Sequence, residues 1–124
     1  MTDAPLVLCA DDDDDILSLV SLRLRRAGFD VATASDGDEA VEIARERHPA
    51  LAVLDVMMPR RTGYEVLAEL RADEALREMK VILLSARVQE GDVARGMDAG
   101  ADAYLAKPFK AQDLVSKVEE LLRA

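Results

Sequence analysis

Short apolar runs alternate along the chain with stretches in which apolar residues recur every three or four positions. The runs of strand length lie at residues 6–10, 29–34, 51–55, 81–85 and 103–105. Two of them, 51–55 and 81–85, are almost wholly apolar, which is typical of strands covered by helices on both faces. The alternation predicts an α/β fold with five strands and five helices.

The stretches between the runs carry the signals of helices and helix ends. Leu17, Val20 and Leu24 share one helical face and Gly28 follows as a stop, so a helix is predicted over residues 14–27. Because right-handed crossovers place such helices on both faces of a parallel sheet, the chain predicts a doubly wound fold in three layers.

The later helices have similar signals. One ends before Pro49, and another begins after Thr62, where Thr62 and Glu65 fit a capping box, and runs to about residue 71. A further helix is predicted around residues 93–97. Apolar residues at helical spacing predict the last helix near the C-terminus: Leu114, Val115, Val118, Leu121 and Leu122.

Composition limits the function classes. A chain of 124 residues that is 50% apolar fits one globular domain over residues 1–124. Its formal charge of -9 repels nucleic-acid phosphates, so no direct nucleic-acid binding is expected. The N-terminus lacks a signal peptide or membrane span, so a cytoplasmic location without membrane contact is expected. Cys9, the only cysteine, falls mid-strand and is predicted to be a small buried apolar residue.

Acidic residues follow two of the predicted strands. Five aspartates occupy positions 11–15, and Asp55 closes the run at 51–55. Ligands of parallel sheets sit beyond the carboxyl ends of the strands. This rule gathers five side chains at one edge: Asp11, Asp12, Asp55, Ser85 and Lys107. Each is ordinary alone, but clustered carboxylates repel by several kcal/mol, which favours a hard divalent cation among them.

The ordered set of motifs is far more specific than any one residue. Asp11-Asp12, Asp55 before Met-Met-Pro, Ser85-Ala86 and Lys-Pro-Phe at 107–109 closely resemble the receiver domain of two-component response regulators, the chemotaxis-response-regulator-like type. The resemblance covers residues 6–122. It implies a flavodoxin-like sheet of strand order 2-1-3-4-5, and this order, carried over from the family, places Asp12 next to Asp55.

The resemblance also implies roles for the site residues. Asp55 would be the phosphoacceptor, and Asp11, Asp12, Asp55 and the backbone carbonyl of Met57 would hold Mg²⁺ or Mn²⁺. Lys107 and Ser85 would contact the phosphoryl group. Tyr104 would be the aromatic switch. The peptide bond between Lys107 and Pro108 would be cis.

The implied function is a phosphorylation-activated switch. A sensor histidine kinase or histidine phosphotransfer protein would supply the phosphoryl group, and the face formed by the fourth helix, fifth strand and fifth helix would relay the state to an effector protein or domain. The chain would not be an enzyme but a phosphoacceptor that assists its own phosphorylation and dephosphorylation. For Tyr104 the alternative is an edge-strand residue with its hydroxyl in water.

Some positions depart from the family pattern. Arg60 stands where many receivers have glycine, and Arg61 follows it. These arginines either aid an incoming phosphodonor or pair with surface acids, and we favour the second. The additional aspartates at 13–15 are predicted to cap the first helix.

Other readings of the chain differ in function. A haloacid dehalogenase-type phosphatase needs a second aspartate where Met57 stands, and an EF-hand needs alternate ligand spacing that consecutive aspartates lack. A receiver-like interaction module that is not switched by phosphate is a further alternative. The chain is either a stand-alone receiver or the receiver segment of a longer regulator.

Overall fold

The computed structural model describes residues 4–86 and 90–123, in which strands and helices alternate along the chain. The strands are β1 (Leu6–Ala10), β2 (Asp30–Ala34), β3 (Leu51–Asp55), β4 (Lys80–Ser85) and β5 (Ala103–Ala106). The helices are α1 (Asp14–Arg26), α2 (Gly37–Arg47), α3 (Gly63–Ala72), α4 (Glu90–Asp98) and α5 (Ala111–Arg123).

The strands form one parallel sheet in the order β2-β1-β3-β4-β5. Its register aligns the carboxyl ends of the central strands, with Ala10 opposite Leu54 and Asp55 opposite Leu84. The residues that follow these strands therefore meet at one edge. The predicted doubly wound fold and the strand order carried over from the family are confirmed.

Alternate residues of each central strand pack on opposite faces of the sheet. On one face they meet buried residues of α1 and α5: Leu17, Val20, Leu24, Leu114, Val115 and Val118. On the other face they meet buried residues of α2 and α3: Ala40, Val41, Ala44, Val66, Leu67 and Leu70. Each fully buried leucine or valine contributes about 2 kcal/mol, so this two-sided core fixes the sheet that presents the site.

The helix ends follow the predicted capping signals. The Asp13 side chain accepts hydrogen bonds from the N–H groups of Asp15 and Ile16, so the acidic run caps α1 as predicted. Thr62 and Glu65 form the predicted capping box of α3. The first helix ends one residue earlier than predicted, and α4 is longer than the predicted residues 93–97 at both ends.

Arg71, near the end of α3, joins three segments on the side of the sheet that carries α4. Its guanidinium donates to the carbonyl oxygens of Met79 at 2.6 Å and Gly100 at 2.7 Å, and it pairs with Asp102 at 3.1 Å. The same Asp102 carboxylate accepts from the Val81 N–H at 2.8 Å. These bonds fix the turn between α4 and β5 against the start of β4.

Two further expectations concern burial. Cys9 is buried in β1, so the prediction of a small buried residue is confirmed, and burial raises the pKa of its thiol to about 12. Among the described residues, no helix is both long enough and apolar enough to cross a bilayer.

Candidate functional site

The carboxyl ends of β1 and β3 bring two buried acids to one lysine. Asp11 directly follows β1, Asp55 ends β3, and Lys107 directly follows β5. The Lys107 Nζ lies 2.9 Å from Asp11 Oδ2 and 3.3 Å from Asp55 Oδ1. Asp11 is 1% exposed and Asp55 4% exposed. The ammonium group therefore compensates both carboxylates, which would otherwise be costly to bury.

Asp12 completes an acidic cluster at the solvent side of this pair. Among the described residues, Asp11, Asp12 and Asp55 each present a carboxylate oxygen, and these atoms lie within 4.8 Å of one another. Asp12 is exposed, so the cluster opens to solvent on its side. Carboxylate oxygens at this spacing suit a hard divalent cation such as Mg²⁺. The donor set thus fits the ion that the sequence predicts.

Burial and repulsion alter the acid chemistry of Asp55. Burial and, next, the charge of Asp11 raise the pKa of Asp55 to about 6 against the opposing effects of Lys107 and a hydrogen bond from the Met57 N–H. Burial alone would lower the pKa of Lys107, but hydrogen bonds and charges from Asp11 and Asp55 outweigh it and raise that pKa. Burial is thus the main cause of the raised pKa of Asp55, whereas the two neighbouring acids cause the raised pKa of Lys107.

Ser85 lies beside these groups at the end of β4. It is 3% exposed, and its carbonyl oxygen accepts from the Lys107 N–H at 2.8 Å. The preceding residue, Leu84, accepts from the Val56 N–H at 2.8 Å. The Lys107-Pro108 peptide bond is cis. The backbone of β4 thereby links the segment that follows Asp55 to the segment that carries Lys107.

Arg60 and Arg61 both pair with acids of the α2 region. Arg60 Nε lies 3.5 Å from Asp36 Oδ2, and Arg61 Nε lies 2.8 Å from Asp38 Oδ1. Arg61 also pairs with Glu69. The favoured expectation that these arginines pair with surface acids is confirmed. Arg60 has a φ of 71°, a left-handed backbone that favours glycine, which accounts for the glycine that many receivers have there.

Tyr104 packs inward against α3 and α4 and is only partly exposed. Its hydroxyl shares a hydrogen bond with Tyr64 of α3; burial, first, and this bond raise the pKa of Tyr64 to about 12. Arg95 lies over the Tyr64 ring at 4.6 Å. A Cβ on Gly96 would lie 2.7 Å from the Tyr104 ring, so glycine at this place makes room for the ring.

Three of these residues escaped the sequence interpretation. In the sequence, Tyr64 looks like one more residue of an amphipathic helix. Its contact with Tyr104 joins positions forty residues apart, so no local pattern indicates it. Arg95 reads as an exposed helical charge. Gly96 did leave a signal, because a glycine inside a helical pattern often marks a close packing contact.

Comparison with known proteins agrees with this geometry. A family model described as the response regulator receiver domain matches residues 7–119. The chain belongs to this family. The receiver domain is 46% identical over 120 residues to the transcriptional regulatory protein PrrA of Mycobacterium tuberculosis, covering 97% of this chain and 51% of PrrA. It is 39% identical over 117 residues to the alkaline phosphatase synthesis regulator PhoP of Bacillus subtilis, covering 94% and 48%.

Solved structures agree on the fold. The receiver domain of the Francisella response regulator 1452 matches with a TM-score of 0.91 and 34% identity, over 96% of this chain and 97% of that one. The chemotaxis response regulator CheY4 of Vibrio cholerae matches with a TM-score of 0.90 and 31% identity, over 97% and 99%. The receiver domain is thus a signalling module of two-component systems.

The relatives bear on the expectation about nucleic acid. The chain spans about half the length of the curated relatives it matches. Some of these longer proteins have DNA binding in their names, such as the response regulator MtrA of Mycolicibacterium smegmatis. The expected absence of nucleic-acid contact is therefore not confirmed and stays a prediction for this chain.

Proposed function

We propose that the domain is a phosphorylation-activated switch that accepts a phosphoryl group on Asp55. The observation that carries this proposal is the buried Asp55 carboxylate, which shares the Lys107 ammonium group with Asp11 at the carboxyl edge of the sheet. A sensor histidine kinase or a histidine phosphotransfer protein is the proposed donor. We assign the switch to residues 1–124 as one receiver unit that acts in the cytoplasm.

The acidic cluster is the proposed metal site. Asp11, Asp12 and Asp55, with the backbone carbonyl of Met57, would hold Mg²⁺ or Mn²⁺. When bound, the ion supplies positive charge against the phosphoryl oxygens. Because Lys107 already neutralises part of the cluster, the remaining negative charge suits one divalent cation.

In the proposed phosphoryl transfer, Asp55 acts as the nucleophile. One of its carboxylate oxygens bonds to phosphorus while the bond from phosphorus to the donor's imidazole nitrogen breaks, and the electron pair of that bond stays on the imidazole. A pKa of about 6 leaves Asp55 mainly ionised near neutral pH, as this attack requires. Lys107 then pairs with a phosphoryl oxygen, and the Ser85 hydroxyl donates to another.

The proposal is tested by phosphorylation with acetyl phosphate and magnesium. Intact-mass analysis is expected to find one phosphoryl adduct on the wild-type protein and none on Asp55→Asn, which keeps the shape but loses the nucleophile. Asp30→Asn, an exposed change at the opposite edge of the sheet, is the matched control and should be modified normally. An adduct that persists in Asp55→Asn, or a wild-type protein that is never modified, contradicts the proposal.

The second of those results favours the receiver-like module that phosphate does not switch. A haloacid dehalogenase-type phosphatase is not proposed, because Met57 occupies the place of its second aspartate. Autodephosphorylation belongs to the proposal: loss of the adduct over time in the purified protein, without a phosphatase, is its expected sign.

The proposed readout surface consists of α4, β5 and α5, with Tyr104 as its moving part. The Tyr104 ring lies against Gly96 of α4, and its hydroxyl meets Tyr64 of α3. A phosphoryl group that draws the Ser85 hydroxyl toward Asp55 changes the space beside this ring, and the population of inward Tyr104 shifts with it. An effector protein or domain would read this difference.

Gly96→Ala tests the inward position of Tyr104. We expect the new methyl group to expel the ring from α4 and to lower the free energy of unfolding by about 1 kcal/mol, even though alanine is the better helix former. The Tyr104 ring signals in NMR spectra should then lose their response to phosphorylation, while adduct formation continues.

A double-mutant cycle supplies the control. In a Tyr104→Ala background the methyl group has no ring to displace, so Gly96→Ala should stabilise the protein by up to about 1 kcal/mol. Equal effects of Gly96→Ala in both backgrounds would show that Tyr104 and Gly96 are not coupled.

A further inference from the structure

The turn between β2 and α2 touches the segment that follows Asp55. Gly37, the first residue of α2, donates its N–H to the carbonyl oxygen of Pro59 at 3.2 Å. A Cβ on Gly37 would overlap the carbonyl oxygen and Cβ of Arg61. The obstacle includes backbone, which a rotamer change does not move. Only glycine allows α2 to approach this closely.

Two ion pairs flank the backbone contact. Arg60 pairs with Asp36 at 3.5 Å, and Arg61 pairs with Asp38 at 2.8 Å. All four side chains are partly exposed, and pairs of this kind contribute about 0–1 kcal/mol each. The ion pairs therefore orient the two segments, while the glycine contact sets their distance.

The segment held in this way carries the backbone of Met57 to the site. At the start of this segment, the Val56 N–H donates to the carbonyl oxygen of Leu84 in β4 at 2.8 Å. At its end, the Gly63 N–H donates back to the carbonyl oxygen of Val56 at 2.9 Å. Between these anchors the Met57 N–H donates to the Asp55 carboxylate. The contact with Gly37 restrains the middle of the segment.

We propose that Gly37 is a positioning residue for the phosphoacceptor loop, residues 56–62. By allowing backbone contact between α2 and this loop, it keeps the Met57 peptide aligned with Asp55 and its carbonyl directed to the metal cluster. This inference rests on the proposed function, because the Met57 carbonyl matters as a donor only if the cluster binds a cation.

The test compares Gly37→Ala with Gly28→Ala by calorimetric titration with Mg²⁺. Gly28 has a φ of 100° and open space around an added Cβ, so alanine there costs stability without touching the loop. We expect Gly37→Ala to weaken Mg²⁺ binding about 10-fold, as changes in residues that orient metal ligands do. Gly28→Ala should bind Mg²⁺ as the wild-type protein does.

Phosphorylation by acetyl phosphate provides a second readout. In Gly37→Ala the Mg²⁺ concentration for half-maximal rate should rise about as much as the dissociation constant, while the rate at saturating Mg²⁺ stays within about twofold of wild type. General loss of folded protein would instead lower the rate at every Mg²⁺ concentration.

The outcomes separate this inference from the proposed function. If the wild-type protein binds no Mg²⁺, both fail. If it binds Mg²⁺ and Gly37→Ala binds equally well, only the positioning role of Gly37 is overturned. Should Gly37→Ala be unfolded in plain buffer, the titration is repeated in trimethylamine N-oxide, which favours the folded state, and an Mg²⁺ affinity equal to that of the wild-type protein would overturn the inference.

Discussion

Replacing Lys107 with alanine is expected to destabilise the metal-free protein by about 3 kcal/mol near neutral pH. The substitution leaves the carboxylates of Asp11 and Asp55 buried without their shared cation, and an uncompensated buried charge costs about this much. Saturating Mg²⁺ should restore most of the loss, because the ion supplies the missing charge. Denaturant unfolding with and without a chelator measures both effects.

The same variant separates metal binding from switching. Without the competing ammonium group, Lys107→Ala should bind Mg²⁺ at least as tightly as wild type, yet fail to give the spectral response to phosphorylation. Lys117→Ala, which removes an exposed partner of Glu120, is the control and should change little. A normal response to phosphorylation in Lys107→Ala would remove Lys107 from the switch.

The metal-free protein is also expected to lose stability as the pH rises from about 4 to about 7. In the folded protein the pKa of Asp55 is about 6, above the usual 3.8 of the unfolded chain, so the folded state binds the proton more tightly. The stabilisation by that proton is present below the unfolded pKa and disappears as the pH passes the folded pKa. The loss amounts to about 2 kcal/mol.

Mg²⁺ should abolish this loss, since it stabilises the ionised form of Asp55. Urea unfolding across the pH range, with Asp55→Asn as reference, isolates the contribution of Asp55 from the other acids. Asparagine has no proton to lose, so the difference between the two proteins should change with pH only in the absence of Mg²⁺. A constant difference would mean that Asp55 has an ordinary pKa.

Most of the fold follows from local features of the sequence. The apolar runs, the capping box at Thr62 and the helix stop at Gly28 each act within a few residues, so they specify elements without knowledge of their neighbours. The strand order does not follow in this way. The order comes instead from the family resemblance, and the meeting of Asp11 with Asp55 depends on it.

The sequence likewise predicts which residues form the candidate site, but not all of their contacts. The rule for strand ends was enough to gather Asp11, Asp55 and Lys107 at one edge. It says nothing about a single ammonium group serving two carboxylates, which depends on distances of a few ångströms. The contacts of Tyr64 with Tyr104 and of Gly37 with Arg61 join distant positions, and no local pattern specifies such a pair.

The bonds of Arg71 have a consequence for motion. The guanidinium binds the Gly100 carbonyl oxygen and the Asp102 carboxylate, so these bonds restrain the C-terminal end of α4. Towards its N-terminal end, the Asp92 carbonyl oxygen accepts a longer hydrogen bond, at 3.4 Å, from the Tyr64 hydroxyl. A change beside Ser85 and Tyr104 is therefore expected to tilt α4 about Gly100, with the larger displacement at Asp92.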